Sequence, residues 1–242
     1  MPLCSGPAVP HCVLSKARPL GAGLALLPAL LLPLPWAATA RAEGQHAYDR
    51  ENAQEILETC AGCHGKDAQG GGDGEYPRLA GMPERYIARQ LRAFKSRTRI
   101  NIPMYQYATE RELPEPDVLD IARLISGLEL ITQMPDLPAE TSAYQRLLVA
   151  GRVFNIRRAE GDVERGRELF EDTCEECHGE QGFGDEDEAT PPLAGQYTEY
   201  LRRQIGLYRS GDRKHEDMDE VVVELTDAEF DDVFAWLSTR DD

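Results

Sequence analysis

The sequence predicts an all-α chain built as two tandem helical domains, on three observations. Cys-x-x-Cys-His occurs twice, as Cys60-Ala61-Gly62-Cys63-His64 and Cys174-Glu175-Glu176-Cys177-His178, 114 positions apart. The same offset carries Pro77 onto Pro191, Leu79-Ala80-Gly81 onto Leu193-Ala194-Gly195, Gln90 onto Gln204 and Met104 onto Met218. Apolar residues recur at helical spacing in both halves, and the strict alternation of a strand is missing throughout. A period this long, with a full set of elements in each copy, describes tandem domains rather than a solenoid.

The elements follow in chain order. Lys16 and Arg18 precede an apolar stretch from Leu20 to Trp36, and Ala38-Thr39-Ala40 supplies small residues at the spacing of a signal-peptidase site. Residues 1–40 are expected to be a cleaved leader, cut after Ala40 or Ala42. Pro28, Pro33 and Pro35 divide the apolar stretch into something shorter than the ~20 residues of a membrane span. Cys4 and Cys12 would leave with the leader, so the exported chain keeps only the four cysteines of the two motifs.

The first domain is placed at residues 43–130 and the second at 159–242. In each, a short amphipathic helix runs into the motif (Ala53 to Cys60; Val163 to Cys174). Another follows Leu-Ala-Gly (Glu84 to Phe94; Thr198 to Tyr208), and a third ends the unit. The last helix has Thr226 as N-cap with Glu229 three residues on, then Phe230, Val233, Phe234 and Leu237 on one face. After the methionines the offset falls to 112, pairing Leu113 with Leu225; the first copy therefore has two extra residues, a slip that a surface loop tolerates. Residues 131–158 open on the helix-breaking Met134-Pro135-Asp136-Leu137-Pro138 and read as a linker with one short helix, between Tyr144 and Phe154, lying against the domains.

The motif has a definite chemistry. Two thiols one helical turn apart can each add to a vinyl group of haem, and the adjacent histidine can reach the iron as an axial ligand. A zinc site would require the two motifs to converge, although each sits in its own repeat with matching context. A thioredoxin-like dithiol would sit in βαβ patterning, which is absent. The expectation is two covalently bound haem c groups: one on Cys60 and Cys63 with His64 as ligand, the other on Cys174 and Cys177 with His178. Methionine is a soft donor that raises haem potential, and Met104 and Met218 recur at the same distance from the motif; they are the expected sixth ligands. Met82 and His215 are rivals, but their counterparts are Gln196 and Asn101. His46 reads as an exposed surface histidine.

Further segments fit the same assignment: Tyr76-Pro77-Arg78-Leu79-Ala80-Gly81 and Tyr86-Ile87-Ala88-Arg89-Gln90-Leu91 in the first unit, Pro192-Leu193-Ala194-Gly195-Gln196 and Tyr200-Leu201-Arg202-Arg203-Gln204-Ile205 in the second. With the motifs, they resemble class I c-type cytochromes, and the duplication resembles the dihaem cytochrome c₄ family. The resemblance implies that the carbonyls of Pro77 and Pro191 accept a hydrogen bond from the motif histidine, fixing the ring and making it a better donor. It also implies a periplasmic electron carrier serving redox proteins such as a quinol-oxidising complex, a terminal oxidase or a dehydrogenase. A second reading is the electron-accepting dihaem subunit of a dehydrogenase such as a flavocytochrome sulfide dehydrogenase. Catalysis by the haem itself, as in thiosulfate dehydrogenases with a cysteine ligand, lacks a spare cysteine in the exported chain.

A formal net charge of −17 excludes a nucleic-acid partner. The charge is uneven. Residues 159–242 hold 8 Lys and Arg against 26 Asp and Glu, a net −18, whereas residues 43–130 hold 11 against 15, a net −4. Arg85, Arg89, Arg92, Lys95, Arg97 and Arg99 cluster in the first unit, while Asp185-Glu186-Asp187-Glu188 and Asp231-Asp232 lie in the second. Two ends that meet different partners are expected, each encounter steered by charge. Electron exchange of the second unit with a basic redox protein should therefore slow as salt rises; a stopped-flow rate constant flat from low to high ionic strength would contradict this.

Overall fold

The computed structural model describes residues 46–240, so the expected leader of residues 1–40 lies outside the described residues. Helix and irregular connections make up the described chain; its only β-contacts are isolated bridges. None of these helices is long and apolar enough to cross a membrane.

In the first half, α1 (Arg50–His64) begins where the Asp49 carboxylate accepts the Asn52 N–H, with Glu51 in its positive first turn. It starts earlier than its apolar residues suggest because the cap, not the hydrophobic pattern, sets the boundary. Helices α2 (Glu84–Lys95) and α3 (Glu115–Ser126) each follow a proline at the N-cap, and both α1 and α2 pack on α3. Ala53, Ile87, Leu113, Val118, Ile121 and Ile125 form this core. Met82 belongs to it as packing.

The linker contains α4 (Ala143–Ala150), started by a Ser142–Gln145 capping box. It does not lie against the domains: Tyr144 and Leu147 are 69% and 68% exposed. The cause is a closure at its base, where Ile131 bridges Val153 and the Phe154 N–H donates to the Ile131 carbonyl (2.6 Å), leaving the helix on a loop folded back on itself.

In the second half, α5 (Val163–Thr173) is capped by Asp162 and leads into the single turn α6 (Glu175–His178). Helices α7 (Thr198–Ser210), α8 (Glu216–Glu224) and α9 (Asp227–Leu237) follow. The Thr226–Glu229 capping box forms, and Phe230, Val233, Phe234 and Leu237 are buried against Phe170, Tyr200 and Leu201. Where α5 crosses α9 the approach is backbone to backbone: a Cβ on Gly166 would stand 1.9 Å from the Asp232 carbonyl oxygen.

The two halves meet through bonds that repeat across the boundary. Arg99 donates to the Tyr200 hydroxyl (2.9 Å) and Gln204 Oε1 (2.9 Å); its counterpart Arg213 donates to the Tyr86 hydroxyl (2.9 Å) and, at 3.5 Å, to Gln90 Oε1. Arg89 donates to the Ala189 carbonyl and Arg203 to that of Glu75. One contact has no mirror image: Gln196 accepts from the Arg78 N–H (3.0 Å) and donates to the Arg78 carbonyl (2.9 Å), whereas Met82 stands at the equivalent position of the first half. Part of the basic run of α2 is thus engaged within the fold, while Arg85, Arg89 and Arg92 stay exposed. Arg85 donates to the Asp187 carbonyl and the Glu84 N–H to Glu186, so the acidic loop is seated on α2; Lys95 pairs with Glu110 and Arg92 with Glu115.

An aspartate on the last helix of each half ties down the start of that half. Asp120, 1% exposed, accepts from the Asp49 N–H (3.0 Å), from His46 Nε2 (2.7 Å) and from Asn52 Nδ2 (3.3 Å); Asp232 accepts from the Asp162 N–H (2.8 Å). His46 therefore has an anchoring partner, although it lies at the surface. Burial pushes the Asp120 carboxyl up, but the bonds from Asp49, His46 and Asn52 outweigh burial and hold it below the usual carboxylate range.

Replacing Gly166 by alanine should force α5 and α9 apart and cost about 2–3 kcal/mol, read as a lowered midpoint in denaturant unfolding. Asp120→Asn should cost about 2 kcal/mol at neutral pH. Because the folded carboxyl titrates below its unfolded value near ~3.9, its stabilisation is full above that pH and fades as pH falls further. Unfolding curves of parent and variant should converge in acid; a gap independent of pH would show that the charge contributes nothing.

Candidate functional site

In the first half α1 presents Cys60, Cys63 and His64 in its last turns and stops at Gly65, whose φ of 79° ends the helix. In the second half the helix breaks at Cys174 and resumes as α6, which ends at Gly179 with φ 75°. Different helical segmentation thus delivers the same three side chains.

Each motif histidine is then fixed by its proline. His64 Nδ1 lies 3.1 Å from the Pro77 carbonyl oxygen, and His178 Nδ1 lies 2.9 Å from that of Pro191. A carbonyl only accepts, so Nδ1 carries the proton and Nε2 is left with a free lone pair. Burial lowers the pKa of both rings, opposed by the bond to the proline, so each is the neutral donor that a metal requires.

The loop between histidine and proline is built the same way twice. The Gly70 N–H donates to the His64 carbonyl (2.7 Å) and the Gly184 N–H to that of His178 (2.9 Å). The Leu79 and Leu193 N–H groups donate to the carbonyls of Ala68 and Gly182, both at 2.8 Å. Gly70 and Gly184 have φ of 82° and 76°, and a Cβ on either would stand 2.7 Å from a proline carbonyl carbon. Only glycine lets the proline segment come this close. These two glycines were not among the residues singled out from the sequence, although the 114-residue offset relates them.

The first thiol of each motif is not poised as a nucleophile. Burial pushes Cys60 up to about 11 and Cys174 up to about 12, and no cysteine of the described residues is in a disulfide. Among the described residues no group of three or more His, Cys, Asp or Glu side chains converges, so the two motifs do not combine into a zinc site.

In the second half Cys174, Cys177, His178, Pro191 and Met218 line one cavity of about 1090 Å³, walled by apolar side chains that include Leu193, Leu201, Phe234 and Leu237. Two thiols, a neutral imidazole and a thioether around an apolar space of this size suit a covalently attached haem. His215 also lines the cavity and lies 3.6 Å from Asp217. Met104 and Met218 are both half-buried and match in register but not in conformation. Met104 lies in a 3₁₀ turn (Ile102–Gln106) capped by Asn101 with Pro103 inside it, and Met218 lies in α8.

A helical fold with two such sites defines a small electron carrier with covalently bound haem c. The model of the cytochrome c family matches residues 42–128 and again 163–241, and the chain belongs to that family. It is similar to the thiosulfate dehydrogenase electron acceptor of Thiomonas intermedia, at 32% identity over 75% of this chain and 78% of the relative. It is also similar to cytochrome c4 of Pseudomonas aeruginosa, at 29% identity over 79% and 84%. Among solved structures, reduced cytochrome c4 from Pseudomonas stutzeri superposes with a TM-score of 0.61 at 23% identity, over 79% of this chain and 98% of that one. Thiosulfate dehydrogenase from Marichromatium purpuratum superposes with a TM-score of 0.62 at 25% identity, over 80% of this chain and 40% of that longer one. The protein is a cytochrome c4-like electron carrier, not an enzyme.

Proposed function

We propose that this is a periplasmic dihaem c-type cytochrome that passes single electrons between redox proteins of respiratory or oxidative metabolism through two His/Met-ligated haems. The domains are residues 43–130 and 159–242, joined by 131–158. Cys60 and Cys63 hold one haem, with His64 and Met104 as its axial ligands; Cys174 and Cys177 hold the other, with His178 and Met218. The observation that carries this is the twice-built proline–histidine pair, which leaves Nε2 of each neutral ring free to bind iron.

When bound, haem would supply a one-electron redox centre, its iron held by His64 and Met104 in one site and by His178 and Met218 in the other. The chain's own contribution is orientation and exclusion of water. Pro77 and Pro191 keep the imidazoles from turning, and the apolar wall of Leu193, Leu201, Phe234 and Leu237 keeps water from the second site.

A second reading is that the chain is the electron-accepting partner of a dehydrogenase, favoured by its 32% identity to a protein bearing that role in its name. Following haem absorbance while thiosulfate dehydrogenase and thiosulfate are added separates the two: rapid reduction of both haems supports the dedicated acceptor.

A stepwise optical redox titration of the holoprotein should count two haems and give the near-infrared sulfur-to-iron band of methionine ligation. Met104→Ala and Met218→Ala should each remove about half of that band and lower one potential only, while His215→Ala leaves the band intact. Loss of the band on replacing His215, or its persistence in the double methionine variant, would refute the ligand set.

A further inference from the structure

Met82 is core packing and His46 an anchor, which leaves His215 as the rival ligand without a role in the fold. It lines the second-half cavity together with His178 and Met218. His215 is the N-cap of α8, and Met218 is the third residue of that helix. An N-cap side chain stands beside the N–H of the third helical residue. The first half shows this place filled: Asn101, the counterpart of His215, accepts the Met104 N–H at 3.3 Å. His215 makes no such capping bond, so a ring nitrogen is spare beside the methionine.

Among the described residues the ionic neighbour of this ring is Asp217, whose carboxylate oxygen lies 3.6 Å from Nδ1, beyond a hydrogen bond. An acidic group on the Nδ1 side leaves Nε2 for a metal, as the Pro191 carbonyl does for His178. The His215 side chain is 42% exposed, so packing does not lock it and it can turn. Its charge also reaches the motif ring: burial lowers the His178 pKa, the bond to Pro191 opposes this, and His215 lowers it further. Imidazole is a good donor to iron and a carboxamide a poor one. Ile100-Asn101-Ile102-Pro103 therefore gives the first half no equivalent donor before its methionine.

We infer that His215 is a reserve axial ligand: when the Met218 thioether leaves the second haem, the His215 imidazole takes the iron, whereas loss of Met104 leaves the first haem open. This rests on the reading that Cys174, Cys177, His178 and Met218 hold a haem. With two imidazoles the second iron stays six-coordinate and low-spin, at a lower potential than with a thioether. The second half then remains a closed one-electron centre after its methionine is lost, and the first half does not. Two halves built on one plan thus differ in a single donor beside the methionine.

The test uses the oxidised full-length holoprotein at neutral pH, without added imidazole. Haem is counted by its pyridine complex, and the spin state of each haem is read by electron paramagnetic resonance. Met218→Ala should keep two haems and lose about half of the near-infrared band, with its second haem still low-spin and showing the signal of two axial imidazoles. Met104→Ala should instead turn one haem high-spin. Combining Met218→Ala with His215→Ala should turn the second haem high-spin as well. Where alanine at position 218 prevents folding, Met218→Leu keeps the bulk of the side chain and makes the same comparison. A high-spin second haem after loss of Met218 alone would overturn the assignment. So would a low-spin one after loss of both residues, which would point to Lys214, also in the cavity lining. Low spin in Met104→Ala would remove the difference between the halves and overturn it too. A parent protein with fewer than two haems, or a full near-infrared band in Met218→Ala, would instead defeat the underlying reading of the site.

Discussion

The bond from the motif imidazole to a proline carbonyl governs the geometry of each half. It selects the tautomer, points the free nitrogen away from the loop, and requires the proline segment to run within 3.1 Å of the histidine ring in the first half and 2.9 Å in the second. That approach is possible only because Gly70 and Gly184 occupy left-handed conformations where a side chain would strike the proline backbone. The leucine N–H bonds to Ala68 and Gly182 then hold the loop shut. Ala68 is informative here, since it keeps a φ of 54° where the second half uses glycine; its local strain is outweighed by burial and by two bonds accepted at its carbonyl.

The boundary between the halves follows a different logic from their cores. Each core is aliphatic and aromatic, whereas the boundary is polar, with paired arginines, tyrosines and glutamines that satisfy one another almost completely. Such a boundary specifies orientation more than it adds cohesion, because a displaced partner strands buried donors. The seating of residues 185–188 on α2 extends this principle to the surface, where an acidic loop and a basic helix touch while their side chains stay exposed.

What could be read from the sequence was what covalent chemistry and helix capping dictate. Cysteine spacing, the adjacent histidine and the Thr226–Glu229 box are local and carry their geometry with them. Buried charges were not legible. Asp120, Arg99 and Arg213 resemble surface residues by type, and only the tertiary fold pairs them with backbone N–H groups, carboxamides and phenols. The equivalence of Arg99 and Arg213 was available in the 114-residue offset, yet their burial depends on contacts more than 100 residues apart in sequence. The methionine segments lie between these extremes: register relates Met104 to Met218, but Pro103 and the two extra residues of the first copy give one a 3₁₀ turn and the other an α-helix.

The reciprocal boundary bonds have the self-complementary form of a two-fold dimer, in which the same patch on each partner answers the other. The segment that carries α4 joins the two halves in one chain, so their meeting is an intramolecular event at an effective concentration on the order of millimolar. Dilution therefore cannot part the halves. A boundary as polar as this one persists the more readily because the tether removes the entropy of finding a partner.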